Sequence, residues 1–95
     1  MRAYENLFII RPDLDDETVA SVVDKLSEVV TNNGGADLSV DKWGKRRLAY
    51  EIEDFREGIY VLMSFNGEAR TAQELERIMK ISDNVLRFLT TVKES

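Results

Sequence analysis

Cysteine and histidine are both missing from these 95 residues. Without cysteine there is no disulfide framework and no thiolate zinc site, and without histidine the commonest general base and metal ligand is gone. Proline occurs once, at Pro12, and tryptophan once, at Trp43. No apolar run approaches the roughly 18 to 20 residues that span a bilayer. The opening, MRAYENLFIIRPDLDD, turns acidic with no small-residue cleavage site. These absences predict a soluble chain of a reducing, cytosol-like compartment, with no export signal and no membrane partner. Positive charge is scarce as well: 13 Lys and Arg stand against 18 Asp and Glu, for a net charge of −5.

What remains is ample for a fold. A hydrophobic fraction of 43% beside a charged fraction of 33% is the balance of a globular domain, too apolar for a disordered chain. Residues 1–95 make a single domain with a thin core, since a chain of this size buries only about 60–65% of its unfolded surface.

Six elements follow from periodicity. Arg2 to Ile10 is dense in β-formers and uninterrupted in apolar residues from Leu7, which suits a central strand. Arg11-Pro12 ends it. Asp15 is placed to cap a helix whose first turn carries Asp16 and Glu17 and whose stripe is Val19, Val22, Val23, Leu26, Val29 and Val30. Asn32-Asn33-Gly34-Gly35 closes that helix. From Ala36 the period becomes 2, through Leu38 and Val40 and again through Leu48, Tyr50 and Ile52, with Gly44 between as a natural bulge that would shift which face the later residues occupy. A turn over Asp54 to Gly58 leads to a strand at Ile59 to Phe65, with Ile59, Val61, Met63 and Phe65 on one side and Tyr60, Leu62 and Ser64 on the other. Ala72, Leu75, Ile78 and Met79 mark a second helix, Ser82-Asp83-Asn84 interrupts, and Val85 to Val92 is the last strand. The order β-α-β-β-α-β predicts an α+β, ferredoxin-like domain: a four-stranded antiparallel sheet with two helices on one face and the other face open.

One segment runs against the acidic background. In DKWGKRRLAYEIE, Lys42, Lys45, Arg46 and Arg47 surround Trp43. A solvated hairpin whose cations balance Asp41, Glu51 and Glu53 is one account, and Trp43 as a simple packing residue goes with it. The other account is a binding surface, because guanidinium forks suit phosphate oxygens and stack on bases, which makes nucleic acid the chemically favoured partner. At −5 overall, such a chain binds RNA weakly and salt-dependently by itself and is better suited to act beside a basic protein. Arg2 and Arg87, with Asn84 preceding the latter, are expected near one sheet margin. Catalysis has no support: the carboxylates lack a motif, the serines lack a base, and Gly34-Gly35 follows a helix where a phosphate cradle would open one. No cofactor and no small-molecule substrate is implied.

The run Trp43-Gly44-Lys45-Arg46-Arg47-Leu48-Ala49-Tyr50-Glu51-Ile52 resembles the signature of the bacterial small-subunit ribosomal protein six family, the S-six family. MRAYENLFIIRPDLDDE, Gly58-Ile59-Tyr60 and Ser82-Asp83-Asn84-Val85-Leu86-Arg87 are similar to it too, so the resemblance covers nearly the whole chain. It implies the same ferredoxin-like fold and a structural, non-enzymatic role in the small ribosomal subunit, binding the central domain of 16S rRNA as a heterodimer with ribosomal protein S-eighteen. Carried over by similarity, Arg2, Lys45, Arg46, Arg47, Asn84 and Arg87 contact rRNA, and Trp43, Leu48 and Tyr50 belong to the partner-protein interface. The sequence departs from the family pattern at Glu53, usually basic or small, and at Ile59, often a second tyrosine. It also stops at Lys93-Glu94-Ser95, where longer members carry a tail.

Three rivals share the architecture. An RNA-recognition motif needs stacking aromatics, and alignment on Gly58 puts Ile59 and Val61 at those places. An acylphosphatase-like enzyme needs a glycine-containing phosphate loop, and Arg11-Pro12-Asp13-Leu14-Asp15 is not one. A regulatory domain that dimerises through its open sheet remains the alternative from a third class.

Overall fold

Alternation along the first strand decides where the core lies. In β1 (Arg2–Ile10), Tyr4, Asn6, Phe8 and Ile10 are buried, while Ala3, Glu5, Leu7 and Ile9 point the other way. The computed structural model describes residues 1–93, so Glu94 and Ser95 of the chain's Lys93-Glu94-Ser95 end lie outside the described residues. The remaining elements are α1 (Asp16–Asn32), β2 (Ala36–Ile52), β3 (Phe55–Gly67), α2 (Ala69–Ile81) and β4 (Val85–Lys93). The strands form one sheet in the order β2-β3-β1-β4, with every neighbouring pair antiparallel. This is the expected ferredoxin-like arrangement.

Both helices pack on the Phe8 side. Val19, Val22, Val23, Leu26 and Val30 of α1 and Ala72, Leu75 and Met79 of α2 join Tyr4, Phe8, Ile10, Val61, Met63, Phe65 and Val85 in one buried cluster. Tyr4 and Phe65 face each other across β1 and β3 as stacked rings 5.6 Å apart. Full burial of side chains of this size stabilises by roughly 1.5–3 kcal/mol each, which offsets the low helix propensity of the valines in α1. Thr71 ties the two helices at one end, because its hydroxyl donates to the Asn33 carbonyl at 2.7 Å and accepts from the Glu68 amide at 3.3 Å.

The hairpin turn is shorter than Asp54 to Gly58. Ile52 pairs with Phe55, and Glu53 and Asp54 alone make the loop with φ of 49° and 68°. Two consecutive positive φ values are the mark of a type I′ turn, whose twist matches the strands it joins, so β3 starts at Phe55. Further back in β2, Lys42 pairs with Val61 but Gly44 pairs with Tyr60, which leaves one extra residue at Trp43. Gly44 absorbs this bulge with φ 88°. Before it, Leu38 and Val40 pack against the core from the helix side; after it, Arg46 falls on the open side, where contacts with Ile9 and Arg87 also place Leu48 and Tyr50 past a further register shift between Arg47 and Ile52.

Two outcomes follow. A methyl group at residue 44 would meet nothing within 4 Å, so Gly44→Ala isolates backbone strain. It is expected to lower unfolding free energy by about 1–2 kcal/mol, read as a reduced denaturant midpoint at constant m-value. At the start of α1, hydrogen bonds from Thr18 hold the Asp15 carboxyl below its usual range, as Arg11 does for Asp13 and Arg77 for Glu74. A depressed carboxylate contributes stability above its unfolded pKa and loses it as pH falls through the folded value. Stability should therefore decline below pH about 4, and Asp15→Ala, lower in Tm at pH 7 by a few degrees, should approach the parent as pH drops.

Candidate nucleic-acid and partner interface

The face that the helices leave bare is not polar. Register places Leu7 between Leu62 and Leu89, and Ile9 between Tyr60 and Arg87, so an apolar band crosses β3, β1 and β4. Trp43 extends it to β2 beside Leu62 and Leu7, closing a hollow of about 260 Å³ with Leu89, Glu5 and Thr91 at its rim. Leu89 is 64% exposed. An exposed apolar band across a sheet is the mark of a surface that another molecule covers.

The basic segment borders this band through aromatic rings. Trp43 stacks on Tyr60 with centroids 6.3 Å apart and planes 6° from parallel. The Arg46 guanidinium lies 5.0 Å from the Trp43 ring centroid, and the indole Nε1 donates to Asp41 at 3.1 Å. The bulge makes this grouping possible, since three residues of separation on an unbroken strand would put Trp43 and Arg46 on opposite faces. Lys45 and Arg47, in register with Ile59 and Glu57, fall on the helix-side alternation of the same arm.

The hairpin tip reaches further than its pairing suggests. β2 and β4 are the two edges of the sheet, yet Tyr50 of β2 touches Arg87 of β4: the guanidinium Nη1 donates to the tyrosine hydroxyl, and its carbon sits 5.3 Å from the ring centroid. The tip therefore folds across the end of β1. Gly58 permits it, because a methyl there would strike the Ile9 side chain and approach Leu48 to 3.4 Å. Phe55 sits under Arg11 in the same way, with 5.4 Å from guanidinium carbon to ring centroid, and the Arg11 amide donates to the Asn84 carbonyl at 3.0 Å. Arg11, Lys80 and Arg87 share a polar cleft of about 600 Å³ with Glu53, Ser82 and Asp83. Hydrogen bonding to Asp13 raises the Arg11 pKa further above its already high value, so this cation is permanent.

The sites expected from sequence divide accordingly. Arg87 lines the cleft with Tyr50 against it, and Asn84 is tied through its backbone carbonyl to the amide of Arg11, another residue of the cleft. Arg46 and Trp43 share the open face, and Lys45 and Arg47 occupy the other side of the arm. Two expectations are corrected. Arg2 is not beside Arg87: β1 and β4 run antiparallel, Ile9 is the residue opposite Arg87, and Arg2 lies seven residues along β1, roughly 23 Å away. Leu48 offers no surface to a partner, since it is 8% exposed and packs under the curled tip. Ile59 and Val61, set at the stacking places of an RNA-recognition motif, lie on the helix side with Val61 fully buried. Sequence reasoning missed Tyr60, Phe55, Arg11 and Lys80 as members of the surface. Alternation had put Tyr60 on the open side, but its pairing with Trp43 depends on the bulge register. Among the described residues no cluster of His, Cys, Asp or Glu is arranged to hold a metal ion, and no helix is long and apolar enough to cross a membrane.

Comparison with known proteins identifies the family and the fold. Residues 3–92 match the family model for Ribosomal protein S6. The small ribosomal subunit protein bS6 of Desulfitobacterium hafniense is 79% identical over 94 residues, covering 99% of both chains. That of Moorella thermoacetica is 53% identical over 91 residues, covering 96% of this chain and 93% of the other. The crystal structure of 30S ribosomal protein S6 from Thermotoga maritima superposes with a TM-score of 0.88 at 28% identity, covering 97% of this chain and 87% of that one. The C-terminal domain of the MgtC protein from Mycobacterium tuberculosis, at 14% identity and a TM-score of 0.51, shares the fold alone. The chain belongs to the ribosomal protein S6 family, and is a structural, non-catalytic constituent of the small subunit of the cytoplasmic ribosome.

Proposed function

We propose that this chain binds the central domain of 16S rRNA jointly with ribosomal protein S-eighteen, with the open sheet face turned to the protein and the cations beside it turned to RNA. The observation that carries this reading is the juxtaposition of an exposed apolar band with arginines held on aromatic rings at its border, Arg46 on Trp43 and Arg87 on Tyr50. Apolar surface of this kind suits a protein partner, and guanidinium groups suit phosphate oxygens. A basic partner supplies charge that the nearly balanced cleft lacks. Trp43 is the partner-facing aromatic, and Arg46, Arg87 and Asn84 are RNA-facing groups. Lys45 and Arg47 reach RNA from the other side of the arm. Arg2 contacts rRNA as a separate point, remote from the cleft.

Binding of this chain to a central-domain fragment at two salt concentrations, with and without S-eighteen, tests the reading. Tight binding is expected only with both proteins present, and S-eighteen should shift the fluorescence of the sole tryptophan, Trp43, to shorter wavelength. Arg46→Glu with Arg47→Glu should weaken the joint complex and flatten the slope of log affinity against log salt by about 1 for each phosphate that is no longer neutralised. Tight binding by this chain alone would favour a second account, in which the stacked Trp43 and Tyr60 rings receive single-stranded bases.

A further inference from the structure

The curled tip gives Tyr50 a role that its sequence position does not suggest. Tyr50 is 58% exposed, yet it holds a residue from the opposite edge of the sheet by two interactions, a hydrogen bond to its hydroxyl and a guanidinium-to-ring contact. We infer that Tyr50 is a positioning residue for Arg87, and that the hairpin arm thereby orders this arginine for RNA in advance. The inference rests on the joint-recognition reading above.

Three features support it. Arg87 is in an exposed position on an edge strand, where a free arginine samples many rotamers. A guanidinium has five N–H donors, and one is used on Tyr50, so the remaining donors are presented to an anion in a fixed orientation. The hold on Arg87 in turn depends on the arm lying across Ile9, a position secured by buried Leu48, by Gly58, and by Phe55 against Arg11. Arg87 is thereby held before RNA arrives, and the ordering cost of that side chain is removed from the RNA-binding step.

A double-mutant cycle in the joint complex with S-eighteen decides the matter: parent, Tyr50→Phe, Arg87→Ala and both together, each measured on the same central-domain RNA fragment. Tyr50→Phe keeps the ring and removes only the hydroxyl. It is expected to weaken RNA binding about 3- to 10-fold with unchanged Tm and with a loss that exceeds any loss of affinity for S-eighteen measured without RNA, and to have no further effect once Arg87→Ala is present. In the free protein, the Arg87 side-chain Nε–H resonance should lose its order in Tyr50→Phe. Parent-like or tighter RNA binding by Tyr50→Phe, or additive losses in the double variant, overturns the inference. So does a drop in RNA affinity fully matched by a drop in S-eighteen affinity, which would make Tyr50 a partner contact. Failure of the parent complex to bind the fragment would refute the joint-recognition reading instead. The Arg87 resonance then judges the positioning role alone, and an unchanged signal in Tyr50→Phe would end it.

Discussion

Two helices cover one face of a four-stranded sheet, and the surface that this chain presents follows from that limit. The two central strands alternate without interruption: Tyr4, Phe8, Ile10, Val61, Met63 and Phe65 go under the helices, and Leu7, Ile9, Tyr60 and Leu62 are left outside with Leu89 of β4 beside them. A sheet with one solvated face normally carries polar residues there. Here the outer positions of the two central strands are mostly apolar, and Glu5, Ser64 and Thr91 sit toward one end only. In isolation that arrangement leaves apolar surface in water for no structural gain, so it is explained by what covers it.

The long hairpin solves a second problem with one residue. A strand of unbroken alternation starting at Leu38 would keep sending even-numbered residues under the helices, and Arg46 and Tyr50 would meet the core. The extra residue at Trp43, absorbed by Gly44 at φ 88°, reverses the alternation so that the even residues emerge on the open side. Leu48 then becomes the apolar pin under the tip. The backbone conformation at one glycine thereby determines which side chains meet Trp43, and a second register shift between Arg47 and Ile52 bends the tip that carries Tyr50.

This division explains what was legible in the sequence. Element order, the two helical stripes, the Asp15 cap and the sides of the third strand all express local periodicity, which a sequence displays directly. The bulge was visible as a glycine in mid-strand, but its register was not, because the pairing partner sets it. The contact of Tyr50 with Arg87 spans 37 positions and depends on a curl around Ile9 that no local pattern encodes. The expectation that Arg2 and Arg87 share a margin failed for a related reason. Both belong to the paired strands of the chain ends, but antiparallel pairing sets the first residue of one against the last of the other. The hairpin turn was misplaced because Glu53 and Asp54 adopt left-handed backbone without a glycine to announce it.

Net charge is a poor guide to how this surface meets RNA. At physiological ionic strength exposed charges separated by more than about 8 Å are largely screened, and the chain measures 37 × 25 × 21 Å. The acidic groups of α1, such as Asp24 and Glu28, therefore weigh little on the hairpin arm. What counts is the local balance, and at the cleft it is nearly even: Arg11, Lys80 and Arg87 stand among Glu53 and Asp83, with Asp13 hydrogen-bonded to Arg11. Such a cleft neither repels a phosphate strongly nor holds it strongly. Its arginines are ordered against Phe55 and Tyr50, so it offers direction without much attraction. A basic protein docked on the adjacent apolar band would tip that balance from within a Debye length, which is a shorter route to RNA affinity than removing distant carboxylates.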